Sequence, residues 1–355
     1  MPLANSHHHS VLLVLTLLFL CVTGYGQKQA PAHEAEQHYN KGVAYLEKRQ
    51  LDEAVTELML ATRLDPRSAD AFNALGIAWA RKGDIKAAAA AFAKAVQLEP
   101  TLYEAQLGLG ATWQQAGNLA GAIAAFKRAA ALKPEEVEAR LLLGAALQQA
   151  GDLDAALVEF RAAVRMRPDN PQAHSYLGFA LGVKGSLPDS IAEFEQAVKL
   201  KPDFADAQYY LGAARWFAGD TSGAIAALGT AAKLMPEHAN AHYYLGLARQ
   251  KNGDLAAALD ELGRAVKLAP ELFEARHAFG RALQQAERLD EAVATFREVV
   301  RLKPDFVPAH NDLGLALVER RDPAGAIAEF NTALNAQQHS PLHVFGCGRR
   351  DMFSN

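Results

Sequence analysis

Residues 69–102 read ADAFNALGIAWARKGDIKAAAAAFAKAVQLEPTL, and this stretch decides the fold. Phe72, Leu75, Gly76 and Trp79 are spaced three, one and three, which is one face of a helix. Gly83-Asp84 follows, and a glycine there can take the left-handed conformation that ends a helix. A second helix carries Ala88, Phe92 and Ala95 on one face. Pro100 stops it, because proline cannot continue the hydrogen-bond ladder. The stretch therefore predicts two antiparallel helices joined by a tight turn.

Outward from this stretch the pattern repeats every 34 residues without insertion or deletion. Glycine stands at Gly42, Gly76, Gly110, Gly144, Gly178, Gly212, Gly246, Gly280 and Gly314. Proline recurs from Pro66 to Pro304, and a small residue recurs from Ala54 to Ala326, with Ser190 among them. Four residues after each small residue comes a large apolar one, from Leu58 and Phe92 to Phe330. Nine repeats follow: 35–68, 69–102, 103–136, 137–170, 171–204, 205–238, 239–272, 273–306 and 307–336. The fixed small residues have a packing reason. Gly76 and Ala88 are expected where the two helices cross, since a large side chain would push the axes apart. Phe92 is expected to fill the groove between one repeat and the next.

The motif Phe72-x2-Leu75-Gly76-x2-Trp79, then Ala88-x3-Phe92, then Pro100, resembles the tetratricopeptide repeat family. The resemblance covers residues 35–336. It implies an all-α fold, a right-handed α-solenoid superhelix of antiparallel helix pairs. The first helix of each pair would line a concave groove and the second the convex side. One repeat cannot bury its apolar face alone, so its neighbours must cover it.

The flanks read differently. Residues 1–26 lack Lys, Arg, Asp and Glu, and Val11–Val22 is apolar except for Thr16. A run of that length is short for a membrane span of about 20 residues and suits a signal peptide. Gly24 and Gly26 supply small residues for cleavage before Gln27, although the stretch before Val11 lacks the usual Lys or Arg. A cleaved signal over 1–26 is expected, with a short linker at 27–34, placing the protein in the bacterial periplasm or outside the cell. A retained, membrane-anchored leader is the alternative. Residues 337–355 lack the proline of the other repeats and show no helical period. They read as an irregular tail, or as a truncated or frameshifted end, that leaves the last repeat uncapped.

The chain has 355 residues, half of them hydrophobic, with 36 basic and 40 acidic residues and a net charge of −4. Such composition excludes a disordered chain. Without basic runs it gives no nucleic-acid interface, because phosphate binding needs clustered Lys and Arg. Two cysteines, Cys21 and Cys347, exclude a multi-disulfide scaffold. No phosphate loop and no nucleophile elbow occurs. His33-Glu34 with His38 has the wrong spacing for a zinc helix. His238 with His242 reads as surface histidines, and His339, His343 and Cys347 lack a fourth ligand. The sequence points to no enzyme, no cofactor and no metal.

The resemblance implies that positions 2, 5, 9, 12 and 13 of each repeat face the groove. Co-chaperones of the family hold a carboxylate with Lys at position 5 and Asn at position 9. No repeat here has either, so acidic chaperone tails are not the expected ligand. Aromatics concentrate in repeats five to seven. Phe179, Tyr209, Trp216 and Tyr243, with Leu247, His277 and Arg281 beyond them, are the expected partner-binding residues. Rings give large contact area at low entropic cost. Position 2 is mostly acidic, as at Asp70 and Glu104, so the partner is expected to be a protein or peptide, apolar with some basic character. The acids also suit helix N-termini, and the rings also suit a core. The resulting expectation is a non-enzymatic interaction scaffold for an envelope or secretion complex. Two alternatives stay open: the recognition array of a larger enzyme, or a membrane-tethered adaptor.

Overall fold

A computed structural model describes residues 32–339. It divides between Ala162 and Ala163 into two compact bodies. The first holds α1 (32–47), α2 (Leu51–Leu64), α3 (Ala69–Lys82), α4 (Ile85–Leu98), α5 (Tyr103–Gln115), α6 (Leu119–Leu132) and α7 (Val137–Gln149). The division falls within α8 (Leu153–Met166). The second body holds α9 (Pro171–Lys184), α10 (Leu187–Leu200), α11 (Ala205–Ala218), α12 (Thr221–Leu234), α13 (Ala239–Lys251) and α14 (Leu255–Leu268). It continues with α15 (Phe273–Gln285), α16 (Leu289–Leu302), α17 (Val307–Glu319) and α18 (Pro323–His339). In each body a first helix packs antiparallel on the second helix of its repeat, and that second helix packs on the first helix of the next. The fold is an all-α solenoid of helix pairs.

The turns follow from their residues. Gly83, Gly117, Gly151, Gly185, Gly219 and Gly253 all have positive φ and close the first helix of their repeats. Repeats one, eight and nine put Arg49, Glu287 and Arg321 in the same left-handed place, at φ 59, 60 and 63°. The next residue often starts the second helix: the Asp84 carboxylate accepts from the Ala87 amide at 2.9 Å, and Asp220 accepts likewise from Gly223. Such caps stabilise a helix by about 1 kcal/mol.

The packing is as the small residues require. A Cβ on Gly76 would lie 2.7 Å from the Phe92 ring, and one on Gly108 of the next repeat 2.5 Å from the same ring. Phe92 thus occupies the junction between consecutive repeats. Phe126, Phe160, Phe194 and Phe296 are wholly buried at the same place. Each contributes about 1.5–3 kcal/mol of transfer free energy. Ser190, where the other repeats have Ala, is also buried, and its hydroxyl donates to the Gly178 carbonyl at 2.7 Å.

Both ends of the array are longer than the sequence suggests. The first helix begins at residue 32, inside the expected 27–34 linker. Ala32-His33-Glu34 holds nothing that stops a helix, and Glu34 suits a first turn. The last helix runs to His339, beyond the expected end at 336. Gln338 stands where the period would place proline, so nothing halts the helix there. Phe330 is only half-buried, unlike its counterparts, and Ile327 and Leu334 are exposed. The expected leader and the residues after His339, including His343 and Cys347, lie outside the described residues. Among the described residues no helix is long and apolar enough to cross a membrane.

Candidate functional site

The expected groove residues divide into three groups. Tyr209, Trp216, Tyr243 and Leu247 come together in one apolar cluster with Tyr210, Phe217 and Tyr244. Phe179 meets the edge of the Tyr210 ring at 5.1 Å in the adjoining cluster. His277 and Arg281 lie apart from these. They converge on Asp312, at 2.8 Å from His277 Nε2 and 3.8 Å from Arg281 Nε.

Within the aromatic cluster Tyr209 corrects the sequence reading. It was expected among the partner-binding residues of the groove, yet it is only 6% exposed. Its ring is walled by Tyr210, by His238 at 4.6 Å and by Tyr244. Burial pushes its hydroxyl far above the usual phenol range, with smaller contributions from Tyr244 and Tyr210. Tyr243 is half-buried against Tyr244 and shifted the same way, again first by burial. Trp216 is half-buried, with Lys251 Nζ 5.3 Å from its ring centre. The rings in repeats five to seven therefore fill this part of the inner face with one another. Arg281 alone among the expected site residues is exposed.

An opening lies instead in the first body. A cavity of about 880 Å³ is lined by Tyr39, Val43, Leu46, Asn73 and Ile77. Asp70 and Glu47 also line it, with Arg49 and Arg81. These are mostly positions 2, 5, 9, 12 and 13 of repeats one and two, the positions expected to face the groove. Here positions 9 and 12 carry Val43, Ile77, Leu46 and Ala80; repeat five carries Phe179 at position 9 and repeat six Trp216 at position 12, while repeats three, four and six carry Ala111, Ala145 and Ala213 at position 9.

Elsewhere the polar inner-face residues bind each other. Gln114 donates to Gln149, Gln250 to Gln285 and Gln284 to Glu319, each pair 35 residues apart. Arg81 to the Leu46 carbonyl and His277 to Asp312 have the same separation. Position 12 thus meets position 13 of the next repeat between repeats one and two, three and four, seven and eight, and eight and nine, the first of these in the wall of the cavity itself.

A second recurring contact was missed. His242 was expected on the surface, but it is 2% exposed. Its Nδ1 meets Glu261 at 2.6 Å, and its Nε2 donates to the Pro236 carbonyl at 3.0 Å. His174 and His310 do the same with Glu193 and Pro168, and with Glu329 and Pro304. His38 meets Glu57, and Arg140 takes the place of histidine against Glu159. Gln106, Gln208 and Arg276 reach the corresponding proline carbonyl of the preceding repeat. The signal lay in the sequence. Position 4 is His or Arg in repeats one, four, five, seven, eight and nine, and position 23 is Glu in all of these but repeat eight, which has Thr295. Where position 4 is Gln106 or Gln208, position 23 is alanine. This contact is structural: among the described residues no group of three or more His, Cys, Asp or Glu side chains could hold a metal ion.

A tetratricopeptide repeat family model matches residues 39–102, 214–272 and 277–341, more than half of the chain. The chain belongs to the tetratricopeptide repeat family. Further models of the family match 114–178 and 183–216. Among solved structures it is similar to the APC/C hetero-tetramer Cut9–Hcn1, with 23% identity and a TM-score of 0.57 over 76% of this chain and 52% of that one. A tetratricopeptide repeat protein from Parabacteroides merdae matches with 15% identity and a TM-score of 0.55 over 71% of this chain and 99% of its own. PilF of Pseudomonas aeruginosa matches with 17% identity and a TM-score of 0.52 over 63% and 99%. At these identities the likeness is one of fold. No curated protein matches the sequence. As a tetratricopeptide repeat array the chain is a scaffold suited to protein–protein interaction.

Proposed function

We propose that this chain is an exported, non-catalytic scaffold that captures a peptide segment of a partner on the inner faces of its first helices, within an envelope or secretion complex of a bacterium. The observation that supports capture is the open cavity of repeats one and two. It is bounded by the same helix positions that are stitched or filled elsewhere. Export is supported by the uncharged leader, with its apolar run Val11–Val22 and the glycines before Gln27. A large cavity with an apolar wall and charged rim suits a chain segment that brings both kinds of side chain.

Two measurements test the reading. The intact mass of the protein from its source cells is expected to lack residues 1–26; a retained leader would instead support the membrane-tethered adaptor. A random peptide display library screened on the full chain is expected to yield a consensus. Failure to enrich any sequence would count against peptide capture.

A further inference from the structure

The cavity of repeats one and two is polarised along its length. At the start of α3, Asp70 is exposed, and among the described residues it has no ion pair and no side-chain hydrogen bond. The Tyr39 hydroxyl is pushed up first by burial and then by the charge of Asp70, so it stays protonated and able to donate. The opposite end carries Arg49 and Arg81 against Glu47, a net positive charge. Arg81 Nη1 donates to the Leu46 carbonyl at 3.1 Å, which holds the guanidinium at the rim with its other donors unspent. Between the two ends the wall carries the apolar Val43, Leu46 and Ile77, with Asn73 beside them, whose buried Oδ1 has no hydrogen-bond partner among the described residues. Asp70 and Arg81 are eleven residues apart in one helix, or about 16 Å at 1.5 Å per residue. An extended chain at about 3.3 Å per residue covers about 13 Å from its first residue to its fifth, and the long side chains at the two ends reach across the rest.

We propose that this cavity takes an extended peptide segment of about five residues, with a basic side chain over Asp70, an apolar side chain against Val43 and Ile77, and an acidic side chain at Arg49 and Arg81. The proposal rests on the reading of the chain as a peptide-capturing scaffold and fixes where and what it captures. Alternate residues of an extended strand share a face, so the motif is basic–x–apolar–x–acidic, in either chain direction. Opposite charges at the two ends match the two rims, and the central side chain leaves water for the apolar wall.

The test uses the full chain and the synthetic peptide acetyl-Lys-Ser-Leu-Ser-Glu-amide, with binding followed by calorimetry. Replacing the central Leu by Ser is expected to weaken binding about tenfold or more, the loss of one buried leucine. Asp70→Asn removes a solvent-exposed charge that makes no ion pair and no side-chain hydrogen bond among the described residues, and it is expected to weaken binding about three- to tenfold. Asp70→Lys is expected to make acetyl-Glu-Ser-Leu-Ser-Glu-amide the preferred ligand. Hydrogen exchange is expected to slow on binding in α1 and α3 only. Equal affinity for the Leu and Ser peptides, indifference to both Asp70 variants, or no binding would overturn the proposal. A display-derived peptide that protects α11 and α13 instead would also overturn it while leaving peptide capture standing. A chain that enriches no peptide at all fails on both counts.

Discussion

His242 and Glu261 stand nineteen residues apart in sequence and 2.6 Å apart in space, and both side chains are largely buried. The imidazole also reaches back to the carbonyl of Pro236 in the repeat before, so one side chain fixes both the internal pairing of a repeat and its seat on its neighbour. Removing Glu261 as Ala leaves Nδ1 enclosed without a partner and is expected to cost about 1–3 kcal/mol. The double change His242→Gln with Glu261→Ala restores the Gln208 and Ala227 pairing of the sixth repeat. It is expected to recover most of that loss in hydrogen-exchange protection of α13 and α14. If the double variant is no better protected than Glu261→Ala, the two positions are not coupled.

Repeat eight breaks the pattern, with Arg276 at position 4 and Thr295 at position 23. Arg276 Nη2 reaches the Pro270 carbonyl, but its Nε is buried without a partner. Thr295→Glu supplies the carboxylate that Arg140 finds in Glu159, and it is expected to add about 0.5–1 kcal/mol of stability. A chemical denaturation midpoint that falls would refute the pairing.

Three turns carry side chains where the other six carry glycine. Arg49, Glu287 and Arg321 hold positive φ at a steric cost that glycine avoids. Glycine also loses more entropy on folding, so Arg49→Gly, Glu287→Gly and Arg321→Gly are each expected to gain only about 0.5–1 kcal/mol. Gly83→Ala is expected to lose a similar amount. Local exchange rates in the flanking helices read both signs.

Two helical glycines give opposite forecasts for one substitution. Gly144→Ala drives a methyl to within 2.5 Å of the Phe160 ring and is expected to cost about 1–3 kcal/mol through overpacking. A Cβ on Gly229, inside α12, meets nothing within 4 Å, so Gly229→Ala is expected to gain up to about 1 kcal/mol from helix propensity. Melting temperatures of the two variants should move in opposite directions.

Alkaline pH should weaken the array. The hydroxyls of Tyr209, Tyr243 and Tyr210 are pushed up chiefly by burial, and that of Tyr103 is pushed up to about 12 by burial and then by Glu138, Glu136 and Glu104. In the unfolded chain these phenols ionise near their ordinary pKa of about 10. Above that pH the unfolded state holds fewer protons than the folded one, so stability is full below about 10 and falls as pH rises. Phenolate absorbance is expected to appear together with loss of helical circular dichroism. Full ionisation of all tyrosines while the helices persist would contradict the burial.

The sequence carried the repeat boundaries because Gly76, Ala88, Phe92 and Pro100 answer to local sterics that recur every 34 residues. Tyr209 and Tyr210 were not separable in the same way. Adjacent residues on a helix point about 100° apart, and which one faces solvent depends on Tyr244 and His238 from the next repeat. The open cavity was not legible from side-chain size, since position 9 is Val43 and Ile77 at the cavity but the smaller Ala111 and Ala145 in the repeats that follow. Position 4 and position 23 varied together in plain view, but a histidine near a turn reads as exposed until its carbonyl partner in the preceding repeat is known. The ends strayed because helix termini depend on stop signals, and Gln338 supplies none.

The His242–Glu261 contact and the Gln250–Gln285 contact differ in what duplication does to them. Both members of the first lie inside one 34-residue block, and the third partner is the proline carbonyl that every preceding block offers. A gene rearrangement that copies, deletes or reorders whole blocks carries that contact along intact. The second joins two blocks and survives only if their order survives. Histidine at 174, 242 and 310, in every other block, is the pattern that copying blocks two at a time would leave. Lineages of this array that gain or lose blocks should therefore keep their interior pairings and reinvent the face they present.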